Sequence, residues 1–285
     1  EKPLAPADLK RAFNVQHPWK RIAIVAAGPV VNFFLAFLLF GGMYAIVGTQ
    51  ILTPEVGQVR EDSPAYRAGV KKGDEIVAVE GTPVASWEEL QERVRDRAGD
   101  PLAFRLVRDG EALELIVTPE PSVVKNLFGE DIRTALIGIV ASGDFRNVDL
   151  GPVEAMGEAA VRTWEITELT LLTIVKLFQR VVPMETVGGP IMIGQLTGQL
   201  ARESFTYLIP FMAVISVNLG VLNLLPVPIL DGGVILFLLV ELVMGKPLSL
   251  RKREMAQKAG LFILIALMAV VFYNDIARLI RQFFE

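Results

Sequence analysis

Asp231 stands inside an apolar run, in the stretch Asn223-Leu224-Leu225-Pro226-Val227-Pro228-Ile229-Leu230-Asp231-Gly232-Gly233. An ionised carboxylate at membrane depth costs roughly 3 kcal/mol unless it is paired, hydrated or bound to a metal. Two readings stay open from the residues. Asp231 caps a helix at a break within the membrane, or it ligates a metal, with the glycines admitting backbone and water and the prolines holding an unwound segment open. Asn32, also in an apolar run, either packs between helices or touches substrate. Asp275, in Tyr273-Asn274-Asp275, reads as a charge at the end of an interfacial helix, and Gly188-Gly189-Pro190 reads as a turn. The single histidine, His17 in Gln16-His17-Pro18-Trp19, reads as a solvated loop residue, and there is no cysteine. One histidine cannot form a two-histidine zinc site, and thiolate chemistry is excluded.

These residues need a membrane scaffold. Of 285 residues 52% are hydrophobic and 21% charged, and the mean hydropathy is +0.45. That excludes a disordered chain and concentrates apolar residues in spanning helices. A net charge of -4 without a basic stripe argues against a nucleic-acid partner. Residues 22–52 form a first span. Residues 204–244 would make one straight helix of roughly 60 Å, against a hydrocarbon core of about 30 Å, so the segment must break at Pro226 and Pro228. Residues 259–278 form a third span, with a tail at 279–285. Lys2, Lys10, Lys20 and Arg21 in the loop 1–21, and Lys246, Arg251, Lys252 and Arg253 in the loop 245–258, place both loops in the cytoplasm.

Between the spans the composition becomes that of a soluble module. Strands are expected at 56–59, 75–79, 102–106 and 113–117. Asp109-Gly110 turns the last pair, and Ser86 with Glu89 forms a capping box for a helix presenting Trp87, Leu90 and Val94. A further strand is expected at 136–140. A helix over 152–182 reads as amphipathic, lying on the membrane surface or on the other helices, against the alternative of an internal helix of the soluble module.

The run NLLPVPILDGG resembles the signature of the site-2 protease family of intramembrane zinc metalloproteases, in particular the bacterial branch that includes the regulator-of-sigma-E protease. AAGPVVNF at 26–33, FNVQHPWKR before it, and SPAYRAGVKKGDEIVAVEG at 63–81 resemble that branch's second transmembrane helix, its approach and its PDZ domain, in order. The resemblance implies a polytopic α-helical membrane protein with an inserted α+β PDZ-like domain at 53–120 and an extracytoplasmic region with an amphipathic helix at 121–203. It implies Zn2+ as cofactor, with Asp231 as third ligand beside two histidines of an HExxH helix. Asn223 and Pro226 would lie along an extended substrate, together with Asn32. The PDZ-like domain would take peptides beside Val56, Gly57 and Val59, with the helix 87–97 as the other wall.

The chain departs from the family in having no HExxH, and Glu1 is not an initiator, so that helix is expected upstream of this sequence and the residues given should not cleave peptides by themselves. The implied function is regulated intramembrane proteolysis of single-span substrates such as an anti-sigma factor, in a bacterial inner membrane with the PDZ-like domain outside the cytoplasm. The alternative is a non-catalytic, membrane-anchored PDZ adaptor. A transporter built on the broken helix lacks an inverted repeat.

Overall fold

The computed structural model describes residues 12–284. The first part of the expected loop 1–21, with Lys2, Lys10 and Arg11, lies outside the described residues. The chain divides into two compact units: a helical one from residues 1–46 and 151–285, and a strand-rich one, Val47–Leu150. In chain order, α1 (Pro18–Val47) precedes β1 (Thr49–Leu52), β2 (Val56–Val59), the short α2 (Pro64–Arg67), β3 (Glu75–Val79) and β4 (Thr82–Pro83). Then follow α3 (Trp87–Arg95), β5 (Leu102–Arg108), β6 (Glu111–Val117), β7 (Glu120–Lys125), β8 (Asp131–Leu136), β9 (Ile139–Ala141) and β10 (Phe145–Val148). Helices α4 (Pro152–Phe178), α5 (Pro190–Glu203), α6 (Phe205–Leu224), α7 (Asp231–Met244) and α8 (Leu250–Phe284) complete the described chain.

Among the described residues three helices are long and apolar enough to cross a membrane: α1, α6 and Leu250–Arg281 of α8. Their contacts are made by small residues. Gly220 of α6 faces the Phe33 ring of α1, and Gly41 of α1 faces Met156 of α4. Ser216 of α6 donates to the Asn32 carbonyl at 2.8 Å, and Thr170 of α4 donates to Asn218 Oδ1 of α6 at 2.7 Å. Small interfaces of this kind let helix backbones approach where lipid gives no hydrophobic reward for association. Helix α4 therefore lies on other helices of its own unit.

Three expected boundaries are corrected. The first span does not run to residue 52: Gly48, at φ 78, ends α1, and Thr49–Leu52 pairs with β10 in register Thr49 to Val148. The basic loop 245–258 is mostly helix, because Gly245 adopts a left-handed C-cap and α8 starts at Leu250, taking in Arg251, Lys252 and Arg253. Residues 279–284 continue that helix and are no separate tail.

The strand-rich unit also exceeds its expected bounds of 53–120, since β1 and β7 to β10 belong to it. Its largest sheet has the order β4-β3-β5-β6, beside the pairs β1-β10, β2-β9 and β7-β8. Asp109-Gly110 closes the β5-β6 hairpin with Arg108 opposite Glu111, both turn residues at positive φ, as a two-residue type I′ loop requires. Ser86 accepts from the Glu89 N–H and Glu89 accepts from the Ala85 N–H, fixing the start of α3. Its Trp87, Leu90 and Val94 join Ile76, Phe104, Leu106 and Val117 in one core.

Asp74 is fully buried beside that core. Arg108 grips both its oxygens at 2.7 Å, and the Lys71 N–H adds a third bond. Burial pushes the carboxyl up, but Arg108 and the Lys71 N–H together hold it below its usual value.

Candidate functional site

The apolar segment 204–244 is interrupted between Leu224, the last residue of α6, and Asp231, the first of α7. Pro226 and Pro228 have no N–H to continue a helix. The turn closes through Val227 N–H to the Leu225 carbonyl at 2.7 Å and Leu230 N–H to the Val227 carbonyl at 2.8 Å. Gly232 and Gly233 are forced by this geometry. A Cβ on Gly232 would overlap the Leu224 and Leu225 carbonyls, and one on Gly233 would overlap the Val227 carbonyl. The first turn of α7 thus folds tightly against the end of α6, bringing Asp231 back beside the segment that carries Asn223.

Helix α1 supplies the opposite wall. The Asp231 Oδ2 atom lies 3.3 Å from where a Gly28 Cβ would be, so the carboxylate comes within tight van der Waals reach of α1 at that glycine. Asn32 is one turn further along α1, and its carbonyl holds Ser216 of α6. Glycine at 260 on α8 receives the Pro228 ring, whose Cδ is 3.3 Å from the Cβ position. Asp231 is half-buried, and Asn223 likewise, while Pro226 is exposed. Among the described residues, no side-chain hydrogen bond or ion pair engages Asp231, Asn223 or Asn32. A half-buried carboxylate with no hydrogen-bond or ion-pair partner among the described residues is available to an external cation.

A catalytic zinc takes three protein ligands and leaves a fourth position for water. Among the described residues no group of three His, Cys, Asp or Glu could hold a metal ion. His17 is exposed at the start of α1. The residues present therefore do not make a zinc site by themselves, and Asp231 is one donor without its companions.

The second intramembrane candidate for chemistry, Asp275, does something else. Only 2% exposed, it accepts from the Gly189 N–H at 3.0 Å, the Ile191 N–H at 3.0 Å and the Met192 N–H at 3.1 Å. It caps α5 from α8, which corrects its reading as an interfacial charge. Gly189 is required there, since a Cβ would sit 2.6 Å from Asp275 Oδ2. The only sequence signal was an acid beside an asparagine after a long apolar run.

In the strand-rich unit the groove differs from the expected one. Strand β2, with Val56, Gly57 and Val59, is paired along one side by β9, and Val56 is bonded on the other by its N–H to the Asp74 carbonyl and by the Gly73 N–H to its own carbonyl. Gly57 faces Ala141, whose carbonyl would be 2.6 Å from a Cβ. These three residues are structural.

The open cleft lies instead between α3 and residues 134–139. It has a volume of about 340 Å3, and Trp87, Leu90, Val94, Ile137 and Ile139 supply its apolar lining. Thr134 Oγ1 donates to the Arg95 carbonyl at 3.4 Å, joining the cleft walls at the C-terminal end of α3. Gly138, at φ 81, breaks the strand expected over 136–140, and a side chain there would also collide with Ser63. The Ile137 and Gly138 carbonyls are taken by Ala65 and Arg60, while their N–H groups donate to no acceptor among the described residues. Adjacent free N–H groups around a left-handed residue are the elements of an anion nest. The sequence signal was a glycine in an apolar strand pattern, which marks a bend or a close backbone approach.

Fold and site together define a membrane-associated helical protein with a free carboxylate at a proline-broken apolar segment and a separate strand-rich module carrying a cleft. The chain belongs to Peptidase family M50, whose family model matches residues 4–267; this is the site-2 protease family. A curated protein of Agrobacterium fabrum with a zinc-metalloprotease name is 38% identical over 265 residues, covering 92% of this chain and 70% of that protein. The regulator of sigma-W protease RasP of Bacillus subtilis is 34% identical over 273 residues, covering 96% of this chain and 63% of its own. Among solved structures, the PDZ domain of an SdrC-like protein from Listeria innocua matches 31% of this chain and 92% of its own, at 24% identity and a TM-score of 0.25.

Proposed function

We propose that this chain contributes the aspartate ligand and the substrate-contacting elements of an intramembrane zinc metalloendopeptidase acting on single-span membrane proteins, anti-sigma factors among them. The observation that carries the reading is the free Asp231 carboxylate, set against bare Gly28 at the start of α7. Zinc supplies a polarised carbonyl and an activated water where three ligands hold it, and this chain's donors account for one. Asn223, half-buried and free at the end of α6, is placed to hydrogen-bond an extended substrate backbone, with Pro226 exposed beside it and Asn32 on α1.

The strand-rich unit is a PDZ-like peptide binder that uses the α3 cleft. An extended peptide would add beside β9, with a terminal carboxylate at the Ile137 and Gly138 N–H groups, and such capture would restrict access to substrates already cut on that side. The basic residues at the start of α1 and α8 support a bacterial inner membrane, with this unit on the extracytoplasmic face.

The test is cleavage of a single-span substrate by the product of the complete coding region in liposomes. Asp231→Ala should abolish cleavage, and Asn223→Ala should lower it by about a hundredfold to a thousandfold, the range seen when one transition-state hydrogen-bond donor is lost. Undiminished cleavage by Asp231→Ala would refute the reading. The apolar cleft beside α3 also admits a second reading, a non-catalytic adaptor. It requires peptide binding in the α3 cleft with no cleavage by any form of the protein.

A further inference from the structure

At one end of the helical unit two arginines share one carboxylate. Arg21, immediately before the apolar stretch of α1, donates from Nη1 to Glu241 Oε1 of α7 at 2.9 Å. Arg253 of α8 donates from Nη2 to Glu241 Oε2 at 2.9 Å. Arg21 is 5% exposed, and its guanidinium carbon lies 5.2 Å from the centre of the Phe13 ring. A guanidinium has five N–H donors, and the Nε of both arginines is buried with no hydrogen-bond partner. Glu241 thus leaves each cation incompletely satisfied, and the trio carries one positive charge in excess, on a buried Arg21 and a partly exposed Arg253.

The surroundings do not neutralise it. Lys20, Lys246, Arg251, Lys252 and Lys258 are all exposed nearby in the chain, and Glu254 is the one acid in residues 245–258. The depth of the cluster is set by the same sequence. Arg21 abuts the uncharged residues of α1, and Arg253 precedes the uncharged run from Ala259 by about 9 Å of helix rise. Trp19, exposed beside Arg21, belongs to the residue type that settles at the headgroup level. An under-satisfied cation at that depth faces phospholipid phosphates.

We propose that Arg253, with Lys252 next to it on α8, binds the headgroup phosphate of an anionic phospholipid. Arg253 is the member open to it, its side chain 24% exposed. Arg21 is a positioning residue that holds Glu241 in place. The site ties the ends of α1, α7 and α8 to one lipid.

The test uses the full chain in nanodiscs of phosphatidylcholine with and without phosphatidylglycerol, reading retained lipid by native mass spectrometry. Phosphatidylglycerol should be retained about fivefold over phosphatidylcholine, the ratio that one basic side chain at the surface supports. Arg253→Gln should remove that preference, Arg253→Lys should keep most of it, and Lys252→Gln, fully at the surface, should weaken it without touching the Glu241 pair. Helix content by circular dichroism checks that each variant is folded. Equal retention of both lipids, a preference unchanged in folded Arg253→Gln, or displacement of the lipid by millimolar inorganic phosphate would each overturn the proposal.

Discussion

The two units of this chain differ in where their large apolar residues lie and in what makes their contacts. In the strand-rich unit Ile76, Phe104 and Leu106 are at most 1% exposed, and the fold rests on removing large side chains from water. In the helical unit Ile24, Val30, Phe34 and Ile46 point outward, while Gly28, Gly41, Gly220, Gly232 and Gly233 sit at the contacts. Close approach at small residues and a few polar ties add to the burial of Phe40, Val217 and Leu238 in specifying that unit. Its functional consequence is that the neighbourhood of Asp231 depends on glycines that do no chemistry.

The largest expected effect therefore comes from the smallest change. Gly233→Ala should destabilise the helical unit by about 4 kcal/mol or more, because the new methyl meets backbone that has nowhere to move. Gly194→Ala, where a Cβ meets nothing within 4 Å, should be neutral or stabilising. Thermal unfolding in detergent separates the two, and equal melting points would show that the break does not need its glycines.

Next in size is the reciprocal pair. Leu106→Ala should cost about 3 kcal/mol by leaving a cavity in the strand-rich core. Ile46→Ala, at a residue 85% exposed, should cost under about 0.5 kcal/mol. Denaturant titration followed through the buried Trp87 reads the first, and comparable losses at both sites would erase the contrast between units.

Smaller again is Asp275→Ala, expected to cost about 1.5 kcal/mol as three α5 N–H groups lose their acceptor. Hydrogen exchange at Ile191 and Met192 should then quicken while that at α1 does not. The smallest effect is electrostatic. The Asp74 carboxyl is held below its ordinary 3.8, so the unfolded chain binds more protons over the intervening range. The stabilisation is complete above 3.8 and is lost as pH falls through the folded-state value. Arg108→Gln should flatten that acid limb, and an unchanged limb would mean another group governs it.

What could be read from the sequence was local. The Ser86 cap, the Asp109-Gly110 turn and the helix break at Pro226 each follow from residues within a few positions of one another, and the structure has all three. Contacts distant in sequence were not legible. Nothing near Thr49 announces its partner Val148, so the first helix was drawn five residues too long. Strand β2 was assigned a free edge because β9, which covers it, lies about eighty residues on. Asp275 serves N–H groups more than eighty residues away, and Glu241 meets Arg21 across 220. The candidate ligand was the exception. Asp231 announces itself because a charge in an apolar run is anomalous wherever the chain folds, whereas bare Gly28 opposite it could be found only in three dimensions.

The two intramembrane aspartates give the most direct test of the account. Asp275 is saturated by backbone donors and Asp231 is free, so only Asp231 should serve a metal. Zinc content of the purified product of the complete coding region should be near one per chain in the natural protein and in Asp275→Asn. It should fall at least tenfold in Asp231→Ala, since one of three protein ligands is gone. Full zinc occupancy in folded Asp231→Ala would contradict the account.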